Sequence, residues 1–157
     1  MLRKRIFFRS VLCLAMAFCG LVSLHPIYAQ SAAEEKCQGS TVDDLGDAKT
    51  ATAARAFLAD LQAAVKSNDK DKIAGMISYP LNFIHDGKRA RIRDKQTFLT
   101  RYDSIFSERI REAILKQSSH CLFGNYQGEM IGNGEVWFSE IQDGTVKVIT
   151  VNAPAEK

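Results

Sequence analysis

The sequence lacks the residue clusters that mark several common classes of enzyme. It contains no GxSxG nucleophile motif, no metal-binding pair of histidines, no CxxC pair and no glycine-rich phosphate-binding loop. The glycines of Gly132-Asn133-Gly134 lie inside a strand pattern and do not form a dinucleotide-binding fingerprint. We therefore expect neither a metal ion nor another cofactor.

A large excess of charge of one sign is also lacking. The chain has 21 basic and 18 acidic residues, which gives a formal net charge of +3. Residues 1–29 hold four of the 21 basic residues and no acidic one, so the rest of the chain has 17 basic residues against 18 acidic ones. This balance gives no indication of nucleic-acid binding.

The N-terminal apolar run is short. It covers Val11–Val22, whereas a membrane-spanning helix needs about 20 apolar residues. The basic residues before this run and the small residue Ala29 after it predict a cleavable secretory signal peptide over residues 1–29. Cleavage after Ser31 or Ala33, and an uncleaved anchor, are the alternatives. We expect a periplasmic or secreted protein with no integral membrane span after cleavage.

Cysteine is scarce, and only Cys37 and Cys121 of the four cysteines follow the predicted signal peptide. In an oxidising compartment such a pair predicts a disulfide. In the chain-entropy model, closing a loop of this length stabilises the fold by about 4–5 kcal/mol. Two free thiols are the alternative.

The rest of the chain shows helical periodicity first and strand patterns later. The apolar residues of Ala48–Lys66 recur at helical spacing, and Asp86-Gly87 is a typical hairpin turn. In chain order we expect a mobile polar lead-in at residues 30–47, a domain at 48–152 and a tail at 153–157. Within the domain we expect helices over Ala48–Lys66, around Ile73–Ile77 and after Asp94, a hairpin of Leu81–Asp86 and Lys88–Arg93, and strands over Cys121–Gln127, Met130–Ile141 and Val146–Asn152.

This order predicts an α+β fold with the helices packed on one face of a curved antiparallel sheet. The helix around Ala53–Val65, the Tyr79-Pro80-Leu81 start of the first strand and the block Met130–Phe138 resemble the nuclear-transport-factor-2-like (NTF2-like, SnoaL-like) superfamily, within the cystatin-like architecture. The resemblance covers about residues 48–152 and implies a conical cavity between helices and sheet. The superfamily includes isomerases, dehydratases, carriers and interaction modules, so the fold alone selects no function.

The enzymatic hypothesis depends on His85. Strand alternation places it on the apolar face of its strand, where it could act as a general base oriented by Asp86 or Tyr102. The cavity would then be lined by Phe83, Met130, Phe138 and Tyr102. The alternative is a partly solvated histidine at the end of a strand.

The binding hypothesis depends on two surfaces. In a continuous strand Met130–Ile141, Trp137 and Glu135 point outward and mark a contact surface, although a bulge at the glycines would reverse the faces. Arg89, Arg91 and Arg93 form a basic stripe that could bind an acidic surface. The alternative is an edge strand kept soluble by its charge.

We weigh two functions from these residues. The first is an exported, non-catalytic binding protein, for example an inhibitor or immunity protein, that engages a protein partner in the cell envelope. The second is a small-molecule carrier or an isomerase- or dehydratase-type enzyme that uses the cavity with His85. The oligomeric state stays open, with a homodimer as one option.

The signal peptide generates the first testable prediction. The exported protein should begin at Gln30, because a signal peptidase cuts after a small residue at the end of the apolar segment. N-terminal sequencing of the protein from a periplasmic extract or culture medium checks this. Full-length protein recovered only from the membrane fraction would contradict it.

Overall fold

The computed structural model describes Cys37 and residues 39–153. The predicted signal peptide, most of the lead-in and residues 154–157 of the tail lie outside the described residues. Within the described part of the chain, no helix is long and apolar enough to cross a membrane.

A six-stranded sheet forms one layer of the domain, with the strand order β2-β1-β6-β5-β4-β3. Every neighbouring pair is antiparallel except β1 and β6, which run parallel. The predicted α+β class with a curved sheet is confirmed, but the sheet is mixed rather than purely antiparallel. The strands are β1 (Ile77–His85), β2 (Lys88–Ile92), β3 (Phe123–Asn125), β4 (Gly128–Ile131), β5 (Val136–Glu140) and β6 (Val146–Ala153).

Within residues 39–153, five α-helices form the second layer. They are α1 (Ala48–Lys66), α2 (Lys70–Gly75), α3 (Lys95–Thr100), α4 (Tyr102–Ile105) and α5 (Glu108–Lys116). The apolar stripe of α1 is buried, and Leu58 and Leu61 are fully inaccessible. They belong to the same core as Leu81, Val136 and Val151 of the sheet, so the described helices cover one face of that sheet.

Side-chain caps fix where the helices begin. The carboxylates of Asp47, Asp69 and Asp94 each accept a hydrogen bond from a main-chain N–H in the first turn of α1, α2 and α3. Such caps satisfy donors that have no partner within the helix. The predicted bounds of α1 and the predicted cap of the helix after Asp94 are therefore confirmed.

The second helix ends earlier than predicted. It stops at Gly75, and Ile77 already belongs to β1, which continues through a cis Tyr79-Pro80 peptide bond. The expected extension of this helix to Ile77 is therefore wrong. Ile77 is buried and pairs with Val148 of β6, so sheet formation overrides the weak helical periodicity at this point.

The end of the lead-in is ordered rather than mobile. Residues Val42–Leu45 form a short 3-10 helix, and Val42 is completely buried. The Val42 N–H donates to the Leu122 carbonyl at 2.9 Å, and Thr41 forms a bridge to Phe123 of β3. One buried apolar side chain and one strand-like contact thus attach this segment to the edge of the sheet.

The expected continuous strand Met130–Ile141 does not exist. A turn at residues 132–135 divides it into β4 and β5, which pair with each other. Gly132 and Gly134 have positive φ angles of 68° and 104°, and a side chain at Gly132 would collide with the Glu135 carboxylate. Glycine is required where the chain reverses in this way.

The predicted disulfide is confirmed. The sulfur atoms of Cys37 and Cys121 are bonded at 2.00 Å, with their Cα atoms 5.1 Å apart. The bond joins the segment before the 3-10 helix to the loop before β3, next to the Val42 and Thr41 contacts. The disulfide therefore strengthens the attachment of this segment to β3, to which the Val42 and Thr41 contacts also contribute.

Removing this disulfide should destabilise the domain. We expect the double variant Cys37→Ser/Cys121→Ser to lose about 4 kcal/mol of unfolding free energy, because the loop is no longer closed in the unfolded chain. Urea denaturation with and without a reducing agent checks this. The wild type should lose stability on reduction, whereas the double variant should not respond; an equal response of both would contradict the prediction.

Candidate functional site

The face of the sheet away from the described helices carries a row of side chains that crosses all six strands. Residues paired between neighbouring strands project from the same face. The consecutive pairs run from the edge strand β2 to the other edge strand, β3. The members of this cross-sheet row are Arg91, Asn82, Thr150, Trp137, Met130 and Phe123.

One end of the cross-sheet row is apolar and aromatic. Phe123, Met130 and Trp137 are all half-buried, and the rings of Phe123 and Trp137 meet edge to face with centroids 6.2 Å apart. This contact fixes the indole on the sheet and leaves part of it exposed. Trp137 thus lies on the outer face, as predicted, although the strand that carries it begins only at Val136.

The other end of the cross-sheet row is basic. Arg91 pairs with Asn82, and Arg89 pairs with Ile84 one step along the same strands. Together with Thr150 they line an open cleft of about 450 Å³, which we call the arginine cleft. Within the described chain neither arginine forms an ion pair, and neither the Asn82 amide nor the Thr150 hydroxyl has a hydrogen-bond partner.

Arg93 does not belong to the arginine cleft. It follows the last residue of β2 and precedes Asp94, the cap of α3. The Thr97 main-chain N–H, above all, holds the pKa of the Asp94 carboxyl below its ordinary value, and the charge of Arg93 adds a smaller contribution. The predicted three-arginine stripe therefore reduces to Arg89 and Arg91 on the strand, with Arg93 next to an acid.

Glu135 is not an outward strand residue beside Trp137, which corrects the prediction. Its side chain is only 10% exposed and lies in the turn between β4 and β5. The carboxylate accepts a hydrogen bond from the Asn133 N–H at 2.5 Å and lies 3.5 Å from Nη2 of Arg109. Glu135 holds the turn together and is poorly accessible to a partner.

The candidate general base His85 lies at the rim of the sheet and not in a cavity. Its side chain is 54% exposed. Nδ1–H donates to the Ala153 carbonyl at 3.1 Å, and Nε2 lies 3.4 Å from the Asp86 carboxylate. His85 is therefore a histidine at the exposed end of a strand, with Nδ1 bonded to the main chain and Nε2 beside the Asp86 carboxylate.

The other residues of the predicted cavity do not surround an open site. Phe83, Phe138 and Tyr102 are 3% exposed or less, and Phe138 stacks near Phe57 with centroids 4.8 Å apart. Met130 lies on the opposite face, in the cross-sheet row, so its assignment to the cavity is wrong. Burial raises the pKa of the Tyr102 hydroxyl, which keeps that group neutral inside an aromatic cluster.

Sequence reasoning missed a buried acid, Glu129. It lies between the two predicted strands Cys121–Gln127 and Met130–Ile141, but β4 begins at Gly128 and places Glu129 on the core face opposite Phe138, with 5% exposure. Burial raises the pKa of its carboxyl, the main-chain hydrogen bond at Glu129 lowers it, and the charge of Glu140 raises it further. Only the correct start of β4 could have revealed this position.

Glu129 and His85 cannot form a catalytic pair. The row of Glu129 passes through Phe138 to Val148, whereas His85 pairs with Ala153. Val148 and Ala153 are separated along β6 by roughly 16 Å at the usual rise of a strand. The buried acid and the exposed histidine therefore lie at different ends of the sheet.

Among the described residues, one group of side chains brings possible metal-ligand atoms close together. The ligand atoms of Cys37, His120 and Cys121 lie within 4.8 Å of one another. The two sulfur atoms are bonded to each other, and a disulfide does not supply the thiolates that bind zinc or copper. In its oxidised form this cluster is a structural link.

Comparisons with known proteins give one structural likeness. A crystal structure of a DUF4783 family protein from Bacteroides ovatus ATCC 8483 is similar to this chain with a TM-score of 0.38 and 14% identity, over 63% of this chain and 94% of that chain. No protein-family model matches the sequence. No curated protein matches it either.

Glu129 generates a prediction about pH. A carboxyl whose pKa is raised in the folded state binds more protons in the folded protein than in the unfolded chain. The unfolding free energy therefore falls as the pH rises from about 4.5, the ordinary pKa of a glutamate, through the pKa of the folded state. Glu129→Gln should remove this loss and increase the unfolding free energy at neutral pH by on the order of 1 kcal/mol. At a pH below the ordinary value the gain should vanish.

Urea denaturation across this pH range checks the prediction, with Glu140→Gln as the comparison. Glu140 contributes only through its charge, so its variant should show a smaller gain of the same sign. Parallel pH curves for Glu129→Gln and the wild type would contradict the assignment.

Proposed function

We propose that this protein is an exported, non-catalytic binding protein that engages a protein partner in the cell envelope through the cross-sheet row. The observation that carries the proposal is the composition of that row. Half-buried aromatic and thioether side chains lie at one end, and Arg91, with Arg89 beside it and neither in an ion pair of the described chain, lies at the other.

Residues of these types dominate protein interfaces. Tryptophan and arginine are enriched among the side chains that carry most of the binding energy, and methionine and phenylalanine are enriched at the interface core. Here they lie on a sheet whose opposite face is packed against helices, so little backbone ordering is needed on binding. This rigidity favours recognition of a folded surface, as an inhibitor or immunity protein requires.

The proposed location is the periplasm or the extracellular space. The Cys37–Cys121 disulfide supports it, because such bonds persist in oxidising compartments. The N-terminal pattern of residues 1–29 supports it independently. An inhibitor or immunity protein in that compartment would meet hydrolases and toxins that act on the envelope.

Enzymatic use of the domain is the weaker proposal. An isomerase or dehydratase needs an acid or base that can contact substrate. His85 and Asp86 lie 3.4 Å apart but are exposed at the rim of the sheet, Tyr102 is neutral and buried, and Glu129 lies far from His85 along the sheet. The acid and base groups of the described residues are thus not gathered in one enclosed site.

Trp137→Ala tests the proposal, with the adjacent residue Phe138 as the matched control. Truncating an interface tryptophan commonly costs about 2 kcal/mol or more, a loss of about thirtyfold in affinity. The partner is identified first, by affinity purification of the tagged exported protein from envelope extract. Its affinity for the wild type and for Trp137→Ala is then measured.

Thermal melts separate binding from folding. Phe138 is fully buried, so Phe138→Ala should cost about 3–5 kcal/mol of stability. Trp137→Ala should shift the melting temperature far less while losing affinity. A Trp137→Ala protein that melts like the wild type and binds every envelope partner with unchanged affinity would overturn the proposal.

A further inference from the structure

In the described chain, one edge of the sheet is covered and the other is not. The outer edge of β3 is covered, because Thr41 bridges to Phe123 and the Val42 N–H donates to Leu122. The opposite edge, β2, has no neighbouring strand within the described residues. Four of its five residues are exposed.

An uncovered edge strand offers main-chain donors and acceptors to another strand. In an antiparallel pair these groups point alternately toward the neighbour and away from it, so about half of those on β2 point away from β1. Extended peptides bind to sheet edges in this way, with side chains at alternate positions supplying specificity. The side chains next to the edge therefore decide which segment can add.

On β2 these side chains are cations. Arg89 and Arg91 are two residues apart, so they project from the same face with a spacing of about 7 Å. The segment from Lys88 to Arg93 contains four basic residues and no acidic one. No ion pair in the described chain neutralises Arg89 or Arg91, and their cross-strand neighbours Ile84 and Asn82 carry no charge.

This charge pattern discriminates between occupants. A second copy of β2 would bring arginines against arginines, and like charges on neighbouring strands are destabilising. An acidic strand would instead place its carboxylates beside the guanidinium groups, which bind carboxylates through paired hydrogen bonds. The unpaired Asn82 amide and Thr150 hydroxyl supply further donors in the arginine cleft.

We propose that β2 binds an extended segment of the partner protein with acidic residues at alternate positions. The segment adds as a seventh strand, and its carboxylates bind Arg89 and Arg91 over the arginine cleft. This inference rests on the proposed binding function and names the chemistry of the partner. The same charges that keep two copies apart select the partner.

A synthetic peptide of alternating glutamate and threonine tests this inference on the exported protein with its disulfide intact. We expect the peptide to bind and to slow hydrogen exchange at main-chain amides of β2. A peptide of alternating lysine and threonine should not bind. Absence of binding by the glutamate peptide, or binding without protection of β2, overturns the inference.

Matched variants separate a specific site from general charge attraction. Arg89→Gln/Arg91→Gln should weaken peptide binding by about tenfold or more, because the paired hydrogen bonds are lost. Since tenfold for two arginines is about threefold for each, Arg93→Gln, which removes a neighbouring charge outside the cleft, should change binding by less than about 1.5-fold. Equal effects per charge at the three arginines would overturn the specific contacts.

Peptide backbone methylation tests strand addition itself. A strand presents its N–H groups alternately to its two sides, so methylating one alternate set should abolish binding, and methylating the other should leave it. Equal binding by both methylated peptides overturns the edge pairing. If the peptide fails while Trp137→Ala still weakens a partner, the edge inference is wrong and the binding function stands. If the peptide binds β2 and Trp137→Ala leaves the affinity for the partner unchanged, the edge inference stands and the tryptophan end of the cross-sheet row is not part of the contact.

Discussion

The pairing of β1 with β6 is the contact on which the rest of the sheet depends. The β1–β2 hairpin and the β3–β6 meander are each formed by neighbours in sequence, and only β1–β6 joins them. The cross-sheet row passes through this junction at Asn82 and Thr150. Without it the arginine end and the tryptophan end would belong to two separate sheets, and the two-stranded hairpin that carries the arginines would be marginally stable at best in isolation.

The proposed contact surface exists because the described helices cover only one face of the sheet. The described helices bury their apolar faces against residues such as Leu81, Phe138 and Val151, and the alternation of strand side chains sends the intervening residues to the other side. Core packing and the contact surface are therefore encoded in the same strands. The neighbours Trp137 and Phe138 illustrate this, since Trp137 is half-buried and Phe138 is fully buried.

Features fixed by local chemistry could be predicted from the sequence. The bounds of α1 follow from its apolar periodicity and the Asp47 cap, and the β1–β2 turn follows from Asp86-Gly87, where both residues have positive φ. The disulfide followed from the count of cysteines beyond the N-terminal apolar segment. Each of these depends on residues that are close in sequence or on chemistry that allows few alternatives.

Features decided by long-range packing could not be predicted. The parallel β1–β6 pair depends on contacts across the whole chain, and Val42 has no local signal for burial. The division of Met130–Ile141 depended on interpreting two glycines as a turn rather than a bulge, and that choice also decided the positions of Glu129 and Glu135. Trp137 lies on the predicted outer face because the alternation of inward and outward side chains in β5 is the one expected for the longer strand.

The asymmetry of the two sheet edges has a consequence for assembly. A sheet with two uncovered edges can propagate, because every added strand leaves a new end for the next one. Here Thr41 and Val42, close to the disulfide, occupy the edge at β3. An added strand would give a complex of fixed stoichiometry and not a fibre through this domain.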